Sequence, residues 1–186
     1  MKTVAFAGDY PVLSKLLVKY MDGPVFDSKL RTMANGEQLK VLKRKNPRTS
    51  VDNEYQWTRN AERIFVCVDA NHPDFMRHLY EETMAGRFET EKVTLVGVAQ
   101  KLDPIVLADF QNYAIAHNYP MIYCSLESND AHYTIGENTF FQDLKSTFDM
   151  AADVVVNINE AQMEETSEPE EDNERTRDKI RRFFRK

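Results

Sequence analysis

Cysteine and glycine are scarce in this 186-residue chain, with two of the first and six of the second. Each scarcity closes a route. Cys67 and Cys124 lie inside separate apolar runs with no partner at metal-ligand spacing, so they read as reduced core residues of a cytoplasmic protein. Glycine stands only at positions 8, 23, 36, 86, 97 and 136, which leaves Gly8 as the single place for a phosphate-binding loop. No apolar run approaches the roughly 20 residues that a membrane-spanning helix needs. Met1-Lys2-Thr3 runs straight into Val4–Ala7 and then Gly8-Asp9, too short a stretch for a secretory signal. Excess positive charge is missing too: the net charge of −6 argues against a nucleic-acid partner.

What is present is ordinary for a soluble globular protein, with 42% hydrophobic and 29% charged residues. That excludes a collagen-like, coiled-coil or wholly disordered chain. The charge is unevenly placed. Glu160–Glu174 holds eight acidic residues, no basic ones and no aromatics. Such a segment cannot bury enough apolar surface to offset its ordering entropy, so a disordered, solvated linker is expected. Arg175–Lys186 reverses the sign, with seven basic residues against Asp178. The expected organisation is therefore a body over 1–159, a linker over 160–174 and a tail over 175–186.

Short apolar runs alternate with helical patterns through the body. Val4–Ala7, Arg63–Asp69, Val93–Val98, Tyr119–Cys124 and Asp153–Ile158 read as buried strands. Val25-Phe26 reads as a short strand, and Leu39 with Val41 as an edge strand. Helices are expected over Val12–Met21, Pro73–Ala85, Pro104–His117 and Phe140–Met150. Strands separated by helices this long imply a three-layer α/β domain, its sheet mostly parallel and covered on both faces.

In such sheets ligands bind beyond the carboxyl ends of the strands. Measured from Gly8, the G-x-x-x-x-G-K-[ST] loop would need its second glycine at Leu13, its lysine at Ser14 and its hydroxyl at Lys15. Asp69 closes an apolar strand, either as a magnesium-associated acid or as a cap on the next helix. Asp9 and Asp69 together could also serve a small metal-dependent enzyme, although no general base accompanies them. Gln100-Lys101-Leu102-Asp103 approximates the guanine-reading N-K-x-D of small GTPases, and Ser125 follows a later strand where those proteins also contact guanine. The four histidines show no metal-ligand spacing, G-x-S-x-G is absent, and no motif makes a positive case for catalysis. Lys40, Lys43, Arg44, Lys45 and Arg48 form either a solvated edge strand or a patch for an acidic partner or nucleic acid.

In the tail, Ile180, Phe183 and Phe184 stand at i, i+3 and i+4, flanked by Lys179, Arg181, Arg182, Arg185 and Lys186. As a helix this is a narrow apolar stripe with basic margins. It suits an anionic bilayer, where the phenylalanines insert and each nearby basic residue adds about 1 kcal/mol. Folding back on the body, docking onto a partner protein and a simple disordered basic end are the other readings.

With Val4–Lys15 in the place of a phosphate loop, Asn60–Val68 similar to the "A-D-x-I-x-V-V" strand, and Lys179–Phe184 similar to a membrane-targeting helix, the chain resembles the MinD/ParA group of P-loop proteins. The resemblance implies a P-loop NTPase-like, Rossmann-like fold in which Gly8, Asp9, Ser14, Lys15 and Asp69 are the remnant of a nucleotide site. Its signature is lost, so ATP or GTP with Mg²⁺ is not expected, and no catalytic or metal-binding residue carries over. What it implies is a non-catalytic peripheral adaptor on the inner face of the membrane. It would recruit protein partners, a second copy among them, in a division, pilus, secretion or transfer assembly. The alternative is a degenerate small-GTPase-like scaffold in a soluble complex. An antiparallel strand at 37–45 beside the first would fit the GTPase-like order, and an all-parallel sheet the MinD/ParA group.

Overall fold

The computed structural model describes residues 1–44, 59–85 and 88–153. Where the apolar runs are longest the strands are deepest: β1 (Lys2–Gly8), β4 (Arg63–Asp69), β5 (Val93–Ala99) and β6 (Met121–Ser125) lie side by side and parallel. Side chains on both faces of β4, β5 and β6 are buried, as parallel strands under two helical layers require. Two helices, α1 (Tyr10–Met21) and α4 (residues 144–153), cover one face. The other face carries α2 (Phe75–Ala85) and α3 (Pro104–Ala116). The expected three-layer α/β body is present.

β3 (Gln38–Lys43) is not an edge strand. It runs parallel beside β1, with Leu39 and Val41 fully buried, and β2 (Ser28–Thr32) pairs antiparallel outside it. Val25-Phe26 precedes β2 rather than forming a strand: only one apolar residue of β2, Leu30, marked the true segment, and it faces solvent. The strand at 38–43 therefore lies beside the first but parallel to it, and the antiparallel strand stands one place further out. The sheet is not all-parallel either.

The other end holds a hairpin that the sequence pattern concealed. β7 (Asp130–Ile135) runs antiparallel to β6, and β8 (Asn138–Asp143) antiparallel to β7, giving the order β2-β3-β1-β4-β5-β6-β7-β8. Gly136 supplies the positive φ, +58°, at the first position of the two-residue turn. The helix expected over Phe140–Met150 starts later: Phe140 and Phe141 lie in β8, and α4 opens at Leu144. Asp143 begins it by accepting a bond from the Ser146 amide at 2.9 Å. Asp153, read as the start of a strand, is helical and ion-paired to Lys2. The rest of that segment, 154–158, lies outside the described residues, as do the linker and the tail.

Candidate functional site

The carboxyl ends of β1, β4, β5 and β6 bring Gly8-Asp9, Asp69, Gln100 and Ser125 to one edge of the sheet, as an α/β ligand crevice would. β1 ends at Gly8 and α1 begins at Tyr10, so a single residue, Asp9, joins strand to helix. A phosphate loop needs several consecutive amides wrapped around the anion. Here the Asp9 amide donates to the Cys67 carbonyl at 2.9 Å and the Leu13 amide to the Asp9 carbonyl at 2.9 Å, while Pro11 has no amide to give. Gly8 is required for a different reason. It holds φ at +117°, and a Cβ there would overlap the Cys67 carbonyl. The glycine permits close strand contact rather than approach to a phosphate.

The remaining positions of that remnant are dispersed or occupied. Leu13 is buried in the core, and Lys15 points to solvent from the outer side of α1. Ser14 accepts a bond at 2.9 Å from the Lys43 ammonium, which also lies 4.7 Å from the centre of the Tyr10 ring. Sequence reasoning missed this contact, which spans 29 residues and carries no local signal. The residues present do not fit a nucleoside triphosphate cradle.

Asp69 is part of a tight turn, where its carboxylate accepts from the Asn71 amide at 2.9 Å and its carbonyl from the His72 amide. It caps the turn and not the helix. The His72 and His78 rings lie 4.5 Å apart, tilted by 36°, and the Asp74 amide donates to His72 Nδ1 at 3.1 Å. Among the described residues no three His, Cys, Asp or Glu side chains converge as a metal ion would need. Burial pushes the Cys124 thiol up to about 12 and holds the Cys67 thiol well above the usual thiol range, so neither is poised as a nucleophile.

One motif is brought together as the sequence suggested. Gln100-Lys101-Leu102-Asp103 leads from β5 into α3, and Ser125 ends β6 next to it, its hydroxyl donating to the Gln100 carbonyl at 2.5 Å. The carboxylate that would read guanine is already engaged, because Asp103 caps α3 by accepting the Ile105 amide at 2.8 Å. Its own amide donates to the Tyr123 hydroxyl at 2.9 Å.

Of the basic cluster, Lys43 is buried at 8% exposure and is not presented to a partner. Arg44 pairs with Glu82 at 4.0 Å, and Lys40 is half-buried on β3. Lys45 and Arg48 lie outside the described residues, as do Lys179, Ile180, Arg181, Arg182, Phe183, Phe184, Arg185 and Lys186. No protein-family model matches the chain, and no curated protein is similar enough to be called a relative.

Proposed function

We propose that the chain is a non-catalytic scaffold with a degenerate small-GTPase-like body, acting through protein contacts rather than hydrolysis. The observation that carries this reading is the joined pair of loops at the ends of β5 and β6, with Gln100–Asp103 against Ser125. The strand beside β1 is parallel, so it does not meet the antiparallel order named for this reading, while β2, antiparallel and one place further out, keeps the sheet from the all-parallel order of the MinD/ParA group. The one-residue β1–α1 junction and the capping duty of Asp103 are what make the body a scaffold in this reading. Titration calorimetry with GTP, GDP and ATP, each with Mg²⁺, tests it. No saturable heat is expected, and micromolar or tighter binding of any of them overturns it.

The MinD/ParA-like membrane adaptor stands as the second reading, and the tail supports it: Phe183 and Phe184 on one stripe among basic residues. The two readings part on lipid. Liposomes containing anionic lipid are co-sedimented with the intact chain, a 1–174 truncation and a Phe183→Glu/Phe184→Glu variant. Pelleting of the intact chain alone, weakened by salt, favours the membrane adaptor. If all three stay in solution the adaptor fails, and the soluble scaffold stands.

A further inference from the structure

Among the described residues one end of the sheet is open. β8 is its last strand, with Phe140 41% and Phe141 61% exposed and every residue but Gln142 on the surface. The two-residue turn sets which backbone groups are free. Ile135 and Asn138 flank that turn as a hydrogen-bonded pair, and alternation then points Asn138, Phe140 and Gln142 inward to β7. The amides and carbonyls of Thr139 and Phe141 face outward.

Among the described residues nothing covers this edge. Exposed edges are normally blunted by lysine, proline or a bulge, and Asn138-Thr139-Phe140-Phe141-Gln142-Asp143 has none of these residues. Its only charge, at Asp143, is engaged with the Ser146 amide, which also holds that carboxyl below the usual range. The rings are already set: Phe140 stacks on Tyr133 at 6.2 Å, and Phe141 lies against His132 at 4.6 Å.

We propose that β8 is a self-association edge, where two copies of the chain pair β8 with β8 in antiparallel fashion and merge their sheets. The chemistry of the strand selects the occupant. An edge whose one charged side chain, Asp143, is already engaged and whose other side chains are neutral polar or aromatic offers no free charge for an acidic or basic partner strand to complement, whereas its own copy matches it in kind. A two-fold axis at Phe141 sets Phe141 opposite Phe141, Thr139 opposite Asp143 and Phe140 opposite Gln142. The outward groups of both strands then meet, and side chains stay on matching faces. This register also keeps Glu137 away from Asp143 of the other copy; moving the axis to Phe140 would set those two acids opposite each other.

Analytical ultracentrifugation of the full chain tests the proposal, with circular dichroism to verify folding of each variant. The intact chain is expected to sediment at twice the monomer mass of 21.6 kDa. Phe141→Lys sets two ammonium groups face to face and should weaken the dimer by at least about tenfold. Leu30→Lys, on the opposite edge, should leave the dimer unchanged. Paired strands hold opposite hydrogen-bonded Cα atoms about 5.5 Å apart, within disulfide range. Phe141→Cys should therefore cross-link to its own copy under mild oxidation, and Thr139→Cys should not. A monomeric intact chain, a dimer indifferent to Phe141→Lys, or a dimer in which Phe141→Cys stays uncrosslinked each overturns the proposal. None of these outcomes bears on nucleotide or lipid binding, so the assignment as a scaffold stands or falls separately.

Discussion

The two ends of the sheet are built by opposite means. β2, at one end, is held from behind by a buried polar knot. Arg31 donates twice to the Asp149 carboxylate, both bonds at 2.9 Å, and Tyr20 donates to the same carboxylate at 2.6 Å. The guanidinium lies 4.7 Å from the centre of the Tyr20 ring and also reaches the Tyr20 carbonyl. Lys29, also on β2, donates to the Met21 carbonyl at the end of α1. One short strand is thus tied to both helices of its face. Among the described residues β8 is tied to α4 only at its last two residues, where the Gln142 amide reaches the Met150 sulfur at 3.9 Å and Asp143 accepts from the Ser146 amide and the Thr147 hydroxyl. Its aromatic rings rest on β7, and no described residue pairs with its outer backbone groups. An edge strand with anchored charges resists pairing, and one with bare amides and exposed rings invites it. The sheet has one end that closes the fold and one that can extend it.

The comparison breaks most severely if the knot is cut. Asp149→Ala leaves the Arg31 guanidinium without its carboxylate and the buried Tyr20 hydroxyl without an acceptor. Removing one partner of a buried pair costs about 3–5 kcal/mol. Arg31 keeps some contact with water, so the low end applies, a fall in Tm of roughly 10 °C for a domain this size. Thermal denaturation followed by circular dichroism measures it. A Tm within a degree or two of the parent would mean that β2 is held by its ladder with β3 alone.

A milder cut separates hydrogen bond from charge. Tyr20→Phe keeps the ring against Phe6 and Phe148 and beneath Arg31, and removes only the hydroxyl. Asp149 retains both bonds from Arg31, so the loss should be about 1 kcal/mol, the ordinary net worth of a hydrogen bond, and clearly less than for Asp149→Ala. Chemical denaturation midpoints of the two variants, read side by side, rank the parts of the knot. Equal losses would show that the carboxylate matters to Tyr20 more than to Arg31.

The same contrast explains what the sequence disclosed and what it hid. β1, β4, β5 and β6 were legible because burial on both faces writes an unbroken apolar run. β2 was hidden because an edge strand with a solvated face needs no such run, and its anchors, Arg31 to Asp149, stand 118 residues apart. β8 was misread for a sharper reason. Phe140 and Phe141 fall at helical spacing from Leu144 and Phe148, so the genuine stripe of α4 appeared to begin one turn early. Only the Asp143 cap and the Gly136 turn mark the boundary, and both are local signals weaker than the periodicity around them. At the strand ends, Gly8 was identified for its position but not for its role. What removes the phosphate loop is the one-residue junction, a length that depends on where helix begins. The Lys43–Ser14 bond was beyond sequence reasoning, since neither residue marks the other.

The smallest expected effect separates the two ends by pH. His132 lies against Phe141 at the β8 end, and burial holds its imidazole below the usual 6.5, with Asp130 opposing that in part. The folded hairpin therefore favours the neutral ring, and below about pH 6.5 the unfolded chain binds more protons than the folded one. Stability is full above that pH and falls as pH drops through the folded value. At the β2 end, burial raises Tyr20 and the Asp149 carboxylate raises Arg31, so neither changes charge in that window. Tm measured between about pH 7.5 and 5 for the parent and for His132→Gln isolates the term. The parent should lose more stability on the acid side, by less than the Tyr20→Phe loss, because His132 keeps contact with water. Parallel curves would place no proton-sensitive contact beneath Phe141, and the difference between the two ends would then rest on anchoring alone.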